Sequence, residues 1–367
     1  MKSNRKIKTL ILIILGILFV ALPIFTTNLY FKNAEFSNEI RLDNDNLKIS
    51  KLSGKIHIDD TNPAMNWTVA RDAGICTGNG TYSDPYVIED LVINGGGSGD
   101  CILIENSDVY FRIENCTVYN SEIYPVITEP WNNFAGIRLS GVINAQLVNN
   151  NCSFNNDGIN VVGFNNTIAG NIANNNINGS GIYVAGIKNT VMGNTANNNY
   201  LAGIWISCDN TTVSGNFAMN NSNWFGGILL WSSTNYNNVS GNTANINLFY
   251  SDYKNVSGNT ATVIYLLDSD YNTISGNTAS DGIGLEDNDY NIVSGNDACW
   301  VEFGECEGNV FNDNNGPCPP PKGDEIPIEL IILISVISGG ALIGVAIFLL
   351  IRRKRKGKEL IISIFFI

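Results

Sequence analysis

The chain has 367 residues, of which 44% are hydrophobic and only 15% are charged, and its formal net charge is −13. Ten of its 21 basic residues lie near the two ends, so the body between Thr27 and Ile328 holds 11 Lys and Arg against 32 Asp and Glu, a balance of −21. A body of this charge repels nucleic acid, and we therefore expect no nucleic-acid partner.

An apolar segment near each end of the chain predicts contact with a membrane. Residues 9–25 follow four basic residues and predict a signal peptide or an uncleaved signal anchor within residues 1–27. Leu330–Ile351 contains 22 residues without a charge. That length is sufficient to cross a bilayer, so it predicts a transmembrane helix over 328–351.

The flanks of these segments predict the orientation. The basic residues within 352–367 predict a cytoplasmic tail by the positive-inside rule. The body then follows a linker at 28–65 and precedes a proline-rich spacer at 312–327. We therefore predict a protein of the cell membrane, a partner of the bilayer through its C-terminal helix, with an extracellular body.

Two compositional features suit an extracellular body. Ten Asn-X-Ser/Thr sequons are compatible with a glycoprotein; they lie at Asn66, Asn79, Asn115, Asn151, Asn165, Asn178, Asn210, Asn220, Asn238 and Asn255. The eight cysteines suit an oxidising compartment. We predict disulfide staples at the two ends of the body, from Cys76 and Cys101 and from Cys299, Cys306 and Cys318, and buried thiols at Cys116, Cys152 and Cys208.

The sequence of the body contains a short repeat. The hexapeptide VSGNTA occurs at 239–244 and again at 256–261, and its glycine recurs every 17 to 26 residues. Apolar-X-apolar segments alternate with it and begin at Ile102, Ile137, Ile159, Ile182, Ile204, Ile228, Ile246, Ile264 and Ile283. Period-two alternation predicts short strands, and the Gly, Asn and Asp between them predict tight turns. The period predicts an all-β parallel β-helix of nine coils over 66–311.

Stacking explains why the hexapeptide is repeated. Val239 is predicted to lie inside the solenoid on Val256, and Ala244 on Ala261. The asparagine after each glycine is predicted to form a hydrogen-bonded ladder at one corner, from Asn171, Asn194, Asn216, Asn242, Asn259, Asn277 and Asn296. The open ends of the stack need caps, which we place at 55–95 and around Cys299–Cys318.

These coils resemble the right-handed parallel β-helix repeats of NosD-like proteins, within a wider group of carbohydrate-binding proteins and sugar hydrolases. Residues 78–89 (GNGTYSDPYVIE) resemble the first strand and cap of archaeal surface members, and the C-terminal apolar segment with its basic stop is similar to theirs. The resemblance covers about residues 66–311. It implies a right-handed solenoid, and its shared residues are those that stack; the shortest coils leave a left-handed triangular helix as an alternative.

No catalytic residue is predicted. Residues 156–159 (NDGI) resemble part of the polygalacturonase pattern, but the paired Asp, Gly-His-Gly and Arg-X-Lys segments that complete it are not found. Asp157 is therefore interpreted as a turn residue. The copper role that the family name suggests is not expected either, because the chain has one histidine, His57, and four methionines.

Outward-facing aromatic residues predict a binding surface. Residues between the paired apolar positions of each strand face outward. This column and the next contain a candidate ligand-binding strip of Tyr183, Trp205, Trp231, Phe249 and Tyr265. Exposed aromatic rings pack well against sugar rings, so the strip predicts glycan binding. The alternatives are that the long corner loops cover these side chains, or that aromatic residues are simply favoured in strands.

A second column predicts a cation site. Tyr236, Tyr253, Tyr271 and Tyr290 share one register, and an acidic residue precedes the last three. Carboxylates stacked about 4.8 Å apart repel one another, so they either splay into solvent or hold a cation. Oxygen ligands suit Ca²⁺, which makes Asp252, Asp270 and Asp289 a candidate calcium site. No other cofactor is expected, and the alternative is a solvated acidic corner beside a structural tyrosine stack.

Three functions fit these features. The first is non-catalytic binding of glycans or cell-surface proteins on a long face of the solenoid. The second is a structural or adhesive envelope protein that acts as a rigid spacer. The third is a polysaccharide lyase or glycoside hydrolase with an unrecognised site, which would need paired carboxylates or a metal-bound acid cluster facing one groove.

Overall fold

The computed structural model describes residues 51–123, 134–222, 225–231 and 235–316, with four short strands beyond them. The predicted N-terminal segment 1–27 lies outside the described residues, as does most of 328–351, the predicted transmembrane helix. In the described part of the chain, no helix is both long and apolar enough to cross a bilayer.

The body is a stack of coils in which each strand pairs in parallel with its counterpart one coil later. The first ladder contains β2 Ile56–Asp59, β5 Ile102–Glu105, β8 Ala135–Ile143, β10 Asp157–Phe164, β12 Ile182–Ile187, β14 Ile204–Asp209, β17 Ile228–Trp231, β20 Ile246–Phe249, β22 Thr260–Leu267, β24 Thr278–Glu286 and β26 Trp300–Phe303. The nine predicted isoleucines pair in register in this ladder and are buried. Ile56 and Trp300 add one rung at each end, so the ladder has eleven strands rather than nine.

Two further ladders complete the coils. The second contains β3 Tyr86–Glu89, β6 Phe111–Glu114, β9 Ala145–Val148, β11 Thr167–Ala169, β13 Thr190–Met192, β15 Thr212–Ser214, β18 Asn238–Ser240, β21 Asn255–Ser257, β23 Thr273–Ser275, β25 Ile292–Ser294 and β27 Val310–Asn312. The third contains β1 Lys51–Ser53, β4 Leu91–Asn94, β7 Thr117–Tyr119, β16 Phe217–Ala218 and β19 Thr243–Ala244. Single parallel bridges continue this third ladder from Thr117 through Asn151, Ile172 and Thr195 to Phe217.

The four remaining strands form two antiparallel pairs, β28 Ser335–Val336 with β29 Val345–Ala346 and β30 Arg353–Arg355 with β31 Lys358–Leu360.

The repeated hexapeptide is scaffold. Val239 pairs with Val256 in the second ladder, and both are fully buried, as is Ala244. The glycine of each repeat has a φ between 61° and 66°, the left-handed region that costs an L side chain about 1 kcal/mol. Each fully buried Val or Ile contributes about 1.5–3 kcal/mol relative to exposure. The sequence repeats because every coil must fill the same interior and make the same turn.

Residues 55–95 form a complete first coil as well as a cap. They contribute β2, β3 and β4 to the three ladders, so strands begin before the predicted start at residue 66. The cap is one helix, α1 Trp67–Asp72, whose N-cap Asn66 accepts a hydrogen bond from the Val69 amide. Trp67 is buried and stacks on Tyr86 with ring centroids 5.0 Å apart, which closes the apolar interior at this end.

The predicted disulfide staple near the start of the body is not formed, and Cys306 of the predicted C-terminal staple is a thiol. Cys299 is disulfide-bonded, and Cys318 lies outside the described residues. Cys76 and Cys101 are separate buried thiols, so their predicted pairing is wrong: the Cys76 sulfur approaches the Trp67 carbonyl, whereas the Cys101 sulfur donates to the Tyr119 carbonyl. Burial raises the pKa of the Cys101 thiol to about 12, which makes it unreactive. Cys116, Cys152 and Cys208 are also buried thiols.

Candidate functional site

The predicted aromatic strip is contiguous, but most of it is covered. The five rings lie side by side, with centroids 5.6–6.0 Å apart between neighbours. Tyr183, Trp205 and Phe249 are nevertheless buried, with exposures of 2%, 9% and 5%. Only Trp231 and Tyr265 keep partial exposure. The expectation of a flat exposed strip is therefore wrong for three of its five members.

A second hydrophobic cluster outside the solenoid explains this burial. Leu201 and Phe225, from the loops that precede β14 and β17, pack against the strip, and Phe225 stacks on Trp205 with ring centroids 5.5 Å apart. The covering residues come from corner loops, which is the alternative that the sequence left open. Tyr265 donates a short hydrogen bond to Glu286, which further fixes that end of the strip. The strip stabilises the face instead of presenting open rings.

The predicted asparagine column lies at one corner of the solenoid. Its seven members are joined by side-chain amide hydrogen bonds of 2.9–3.0 Å, and Asn150 and Asn314 extend it to nine rungs. Each side-chain oxygen also accepts the backbone N–H of the asparagine one coil earlier. The column satisfies polar groups that the corner buries, so its role is structural.

The three aspartates of the candidate calcium site accept hydrogen bonds from backbone N–H groups. Asp252 accepts the backbone N–H of Asp270 at 2.8 Å, Asp270 accepts that of Asp289 at 2.7 Å, and Asp289 accepts that of Glu307 at 2.7 Å. Desolvation, followed by repulsion from Asp252 and Asp289, raises the pKa of the Asp270 carboxyl. Within the described residues, no group of three or more His, Cys, Asp or Glu side chains could hold a metal. The column therefore acts as a row of turn caps.

The role of Asp270 can be tested by separating charge from hydrogen bonding. Asp270→Asn retains an acceptor for the Asp289 amide and removes like-charge repulsion, so the free energy of unfolding should stay within about 0.5 kcal/mol of wild type. Asp270→Ala leaves that amide without its acceptor and should lower it by about 1 kcal/mol. Chemical denaturation with Ca²⁺ or with a chelator should give the same values. Calcium-dependent stability that Asp270→Asn abolishes would restore the calcium site.

The neighbouring tyrosines form a stack. The rings of Tyr236, Tyr253, Tyr271 and Tyr290 follow one another at 5.2–5.4 Å, with interplanar angles of 6–21°. They are 45–63% exposed, but parallel stacking turns their edges to solvent and covers the faces between them. The backbone of Gly308 lies against the last ring, since a Cβ there would approach Tyr290 within 2.5 Å. This geometry suits a structural stack better than a platform for sugar faces.

Asp157 lies in a buried turn. It is 1% exposed; one carboxylate oxygen accepts the Ser180 backbone N–H at 2.8 Å, and the other accepts the Asn160 side-chain amide at 3.1 Å. A general acid or base must be within reach of a substrate proton. Both oxygens of Asp157 are occupied within the protein, which agrees with its interpretation as a turn residue.

A concave groove lies elsewhere, at the corner where the third face meets the first. It is a shallow depression that is largely open to solvent, with a volume of about 490 Å³. Three consecutive coils build it, each with one tripeptide: Asn175-Asn176-Ile177, Asn198-Asn199-Tyr200 and Asn220-Asn221-Ser222. This site is not predicted from the sequence, because asparagines between the strands are interpreted as turn residues. The recurrence of Asn-Asn-X at one position of three successive coils is the signal that identifies it.

The three positions of each tripeptide have different roles. The middle asparagines form a second amide ladder at the floor, Asn176 donating to Asn199 at 2.9 Å and Asn199 to Asn221 at 3.0 Å. The first asparagines, Asn175, Asn198 and Asn220, are exposed with φ of 55–57°. Within the described residues their side chains make no hydrogen bond, so their amides are available to a ligand.

The opposite rim of the groove is partly apolar. Ile177 is 51% exposed and Tyr200 56% exposed, and Ser222 completes this rim one coil later. Backbone hydrogen bonds hold the two rims in register, from Asn198 N–H to the Met219 carbonyl and from Tyr200 N–H to the Asn176 carbonyl, both at 3.1 Å. The groove therefore combines free amides with exposed apolar surface on a rigid floor.

One family model supports the architecture. Residues 73–244 match the family model described as "Right handed beta helix region". A search of curated proteins gives no match. Among solved structures, the chain is similar to the Dettilon tailspike protein (gp208), with 15% identity over 59% of this chain and 59% of that chain and a TM-score of 0.41.

Two further structures are more distant. A point mutant of the periplasmic alginate epimerase AlgG has 12% identity over 72% of this chain and 84% of that chain, with a TM-score of 0.34. The A-module of the Azotobacter vinelandii mannuronan C-5 epimerase AlgE6 has 10% identity over 64% of this chain and 74% of that chain, with a TM-score of 0.24.

Proposed function

We propose that this right-handed β-helix protein is a non-catalytic, extracellular binding protein that recognises glycans in the groove of Asn175, Asn198, Asn220, Ile177, Tyr200 and Ser222. One observation carries the proposal: three exposed side-chain amides face an apolar rim across a rigid floor of hydrogen-bonded asparagines. Amides both donate and accept hydrogen bonds, as sugar hydroxyls do, and aromatic and aliphatic side chains pack against the C–H faces of sugar rings.

The lining of the groove favours binding over chemistry. Its nine residues are asparagines, one isoleucine, one tyrosine and one serine, with no carboxylate, imidazole, amine or thiol. Glycoside hydrolysis needs two carboxyl groups that flank the scissile bond, and lyase chemistry needs a base. This groove supplies neither, so a lyase or hydrolase is the weaker reading of the site.

The proposal places this groove at the cell surface. The uncharged segment 330–351 and the basic residues after it support a membrane anchor with a cytoplasmic tail. The strongly acidic body supports an extracellular solenoid that stays soluble next to that membrane. The membrane, glycans and cell-surface proteins are accordingly the proposed partners.

A rigid spacer is the second candidate function. Eleven strands in each long ladder, at about 4.8 Å per rung, give a stack about 50 Å long. The nine-rung asparagine column stiffens one corner along most of that length. A spacer needs no groove, so substitution of groove residues separates the two functions.

The proposal predicts that glycan binding depends on Tyr200. Full-length protein in mild detergent should bind members of a broad glycan array, and Tyr200→Ala should weaken that binding about tenfold because it removes the aromatic packing surface. Tyr82→Ala is the matched control, because Tyr82 is 81% exposed far from the groove in sequence. If the protein binds no glycan on the array, the proposal is contradicted and the rigid spacer is favoured.

A further inference from the structure

The groove has the same repeat as the solenoid. Asn175 donates its backbone N–H to the Asn197 carbonyl at 3.0 Å, and Asn198 donates to the Met219 carbonyl at 3.1 Å, so successive amides are one rung apart. Rungs of a parallel sheet are separated by about 4.8 Å. An extended chain of pyranose rings repeats on a comparable length. Three equivalent amides therefore match three consecutive sugar units whose chain runs along the solenoid axis.

The charge of the groove restricts the ligand further. None of the nine lining residues is charged, whereas the body around them carries a balance of −21. An anionic polysaccharide would approach against this field, and no Lys or Arg in the groove would pair with its carboxylates. A cationic one would find no carboxylate to bind. The groove therefore favours uncharged sugars.

The amides are suited to vicinal hydroxyl groups. Each of Asn175, Asn198 and Asn220 offers one carbonyl oxygen and one NH₂ group, which can accept from one hydroxyl and donate to its neighbour. Their left-handed backbone conformation, with φ of 55–57°, holds the three side chains at equivalent corner positions. Ile177 and Tyr200 line the groove beside the first two of these amides, and Ser222 lies beside the third.

We propose that the groove binds an uncharged, linear polysaccharide parallel to the solenoid axis, with one pyranose unit on each of three coils. This inference rests on the proposed glycan-binding function and specifies the ligand class and its direction. Affinity rises with each unit up to three, because a fourth unit extends beyond the amide rows.

The test is calorimetric titration of full-length protein, produced in a host without N-glycosylation because Asn220 lies in a sequon. The probes are neutral cello-, manno- and malto-oligosaccharides of two to six units, with oligogalacturonates and oligomannuronates as charged counterparts. At least one neutral series should bind at least tenfold more tightly than either charged series. Its affinity should rise steeply from two to three units and then level off.

Two glycine substitutions test whether the ligand binds in the groove. Asn198→Gly removes the central amide yet keeps the left-handed backbone conformation, and it should weaken trisaccharide binding about tenfold. Asn210→Gly is the matched control, since Asn210 is exposed with a φ of 51° at another corner, and it should bind as wild type. Glycan binding that prefers the charged series, or that Asn198→Gly leaves unchanged, would overturn this inference and spare the proposed function. Absence of binding to every probe and to the array would overturn both.

Discussion

Replacing Asn216 by alanine should lower the free energy of unfolding by about 3–5 kcal/mol. The Asn216 side-chain oxygen accepts the backbone N–H of Asn194 at 2.9 Å and its side-chain amide at 3.0 Å. The Asn216 amide donates to the Val191 carbonyl at 3.0 Å and to the Asn242 side chain at 2.9 Å. Alanine removes the partners of the Asn194 backbone N–H and the Val191 carbonyl. It also removes one of the two hydrogen bonds of the Asn194 side-chain amide and of the Asn242 side-chain oxygen. Each unsatisfied buried group costs about 1–3 kcal/mol.

Urea denaturation monitored by circular dichroism would measure this loss. Asn312→Ala is the control, because Asn312 is an exposed asparagine at the end of β27, and the change there should stay within about 0.5 kcal/mol. A loss for Asn216→Ala no greater than that of the control would show that the column is not a stabilising network. If the loss is large, the recurrent asparagine is explained by the folding requirement alone.

The ladders were predictable because they depend on a periodic constraint. Ile159 and Ile182 repeat because every coil fills the same interior, and Asn171 and Asn194 repeat because every coil buries the same corner. Such a constraint leaves its period in the sequence. The same argument missed the end rungs, since Ile56 lies in a coil interrupted by α1 and Trp300 replaces the expected isoleucine.

The binding surface was less predictable because its determinants are not periodic. Trp205 lies on an outward column as predicted, but its cover, Phe225, comes from the corner loop before β17, whose length and residues differ from those of the loop before β14. Outward direction in a strand does not imply exposure when a loop folds back over it. The groove is not predicted from the sequence, for the opposite reason. Asn175 and Asn198 recur so regularly that the sequence does not distinguish them from structural turn residues.

A lysine interrupts a second column of buried asparagines. A further buried column contains Asn237, Lys254, Asn272 and Asn291, in which a lysine occupies an asparagine position. Lys254 is 2% exposed, and its ammonium donates to the Asp252 carbonyl at 2.8 Å. Burial, opposed by the nearby carboxylates of Asp209 and Asp252, lowers the pKa of Lys254 from 10.5 to about 7.

Lys254→Asn should therefore stabilise the protein at and below neutral pH. The lysine ammonium has no lone pair, so it cannot accept the Asn237 backbone N–H as an asparagine would. Since the pKa of Lys254 is lowered on folding, the unfolded chain binds more protons between about pH 7 and pH 10.5. The free energy of unfolding of wild type, relative to that of the variant, should therefore rise with pH across this window. Below the window this difference should be constant and at its lowest value. The full difference is on the order of 5 kcal/mol.

Denaturation of both proteins at intervals from pH 6 to pH 10 would measure this difference. Other titrating groups, including the buried thiols, are common to the two proteins, so the difference between them isolates Lys254. Lys254→Met, which removes the charge without restoring the amide, should reproduce the pH dependence with a smaller constant gain. A gain that does not change with pH would mean that Lys254 keeps its usual pKa in the folded protein, and that only the missing amide distinguishes this coil from its neighbours.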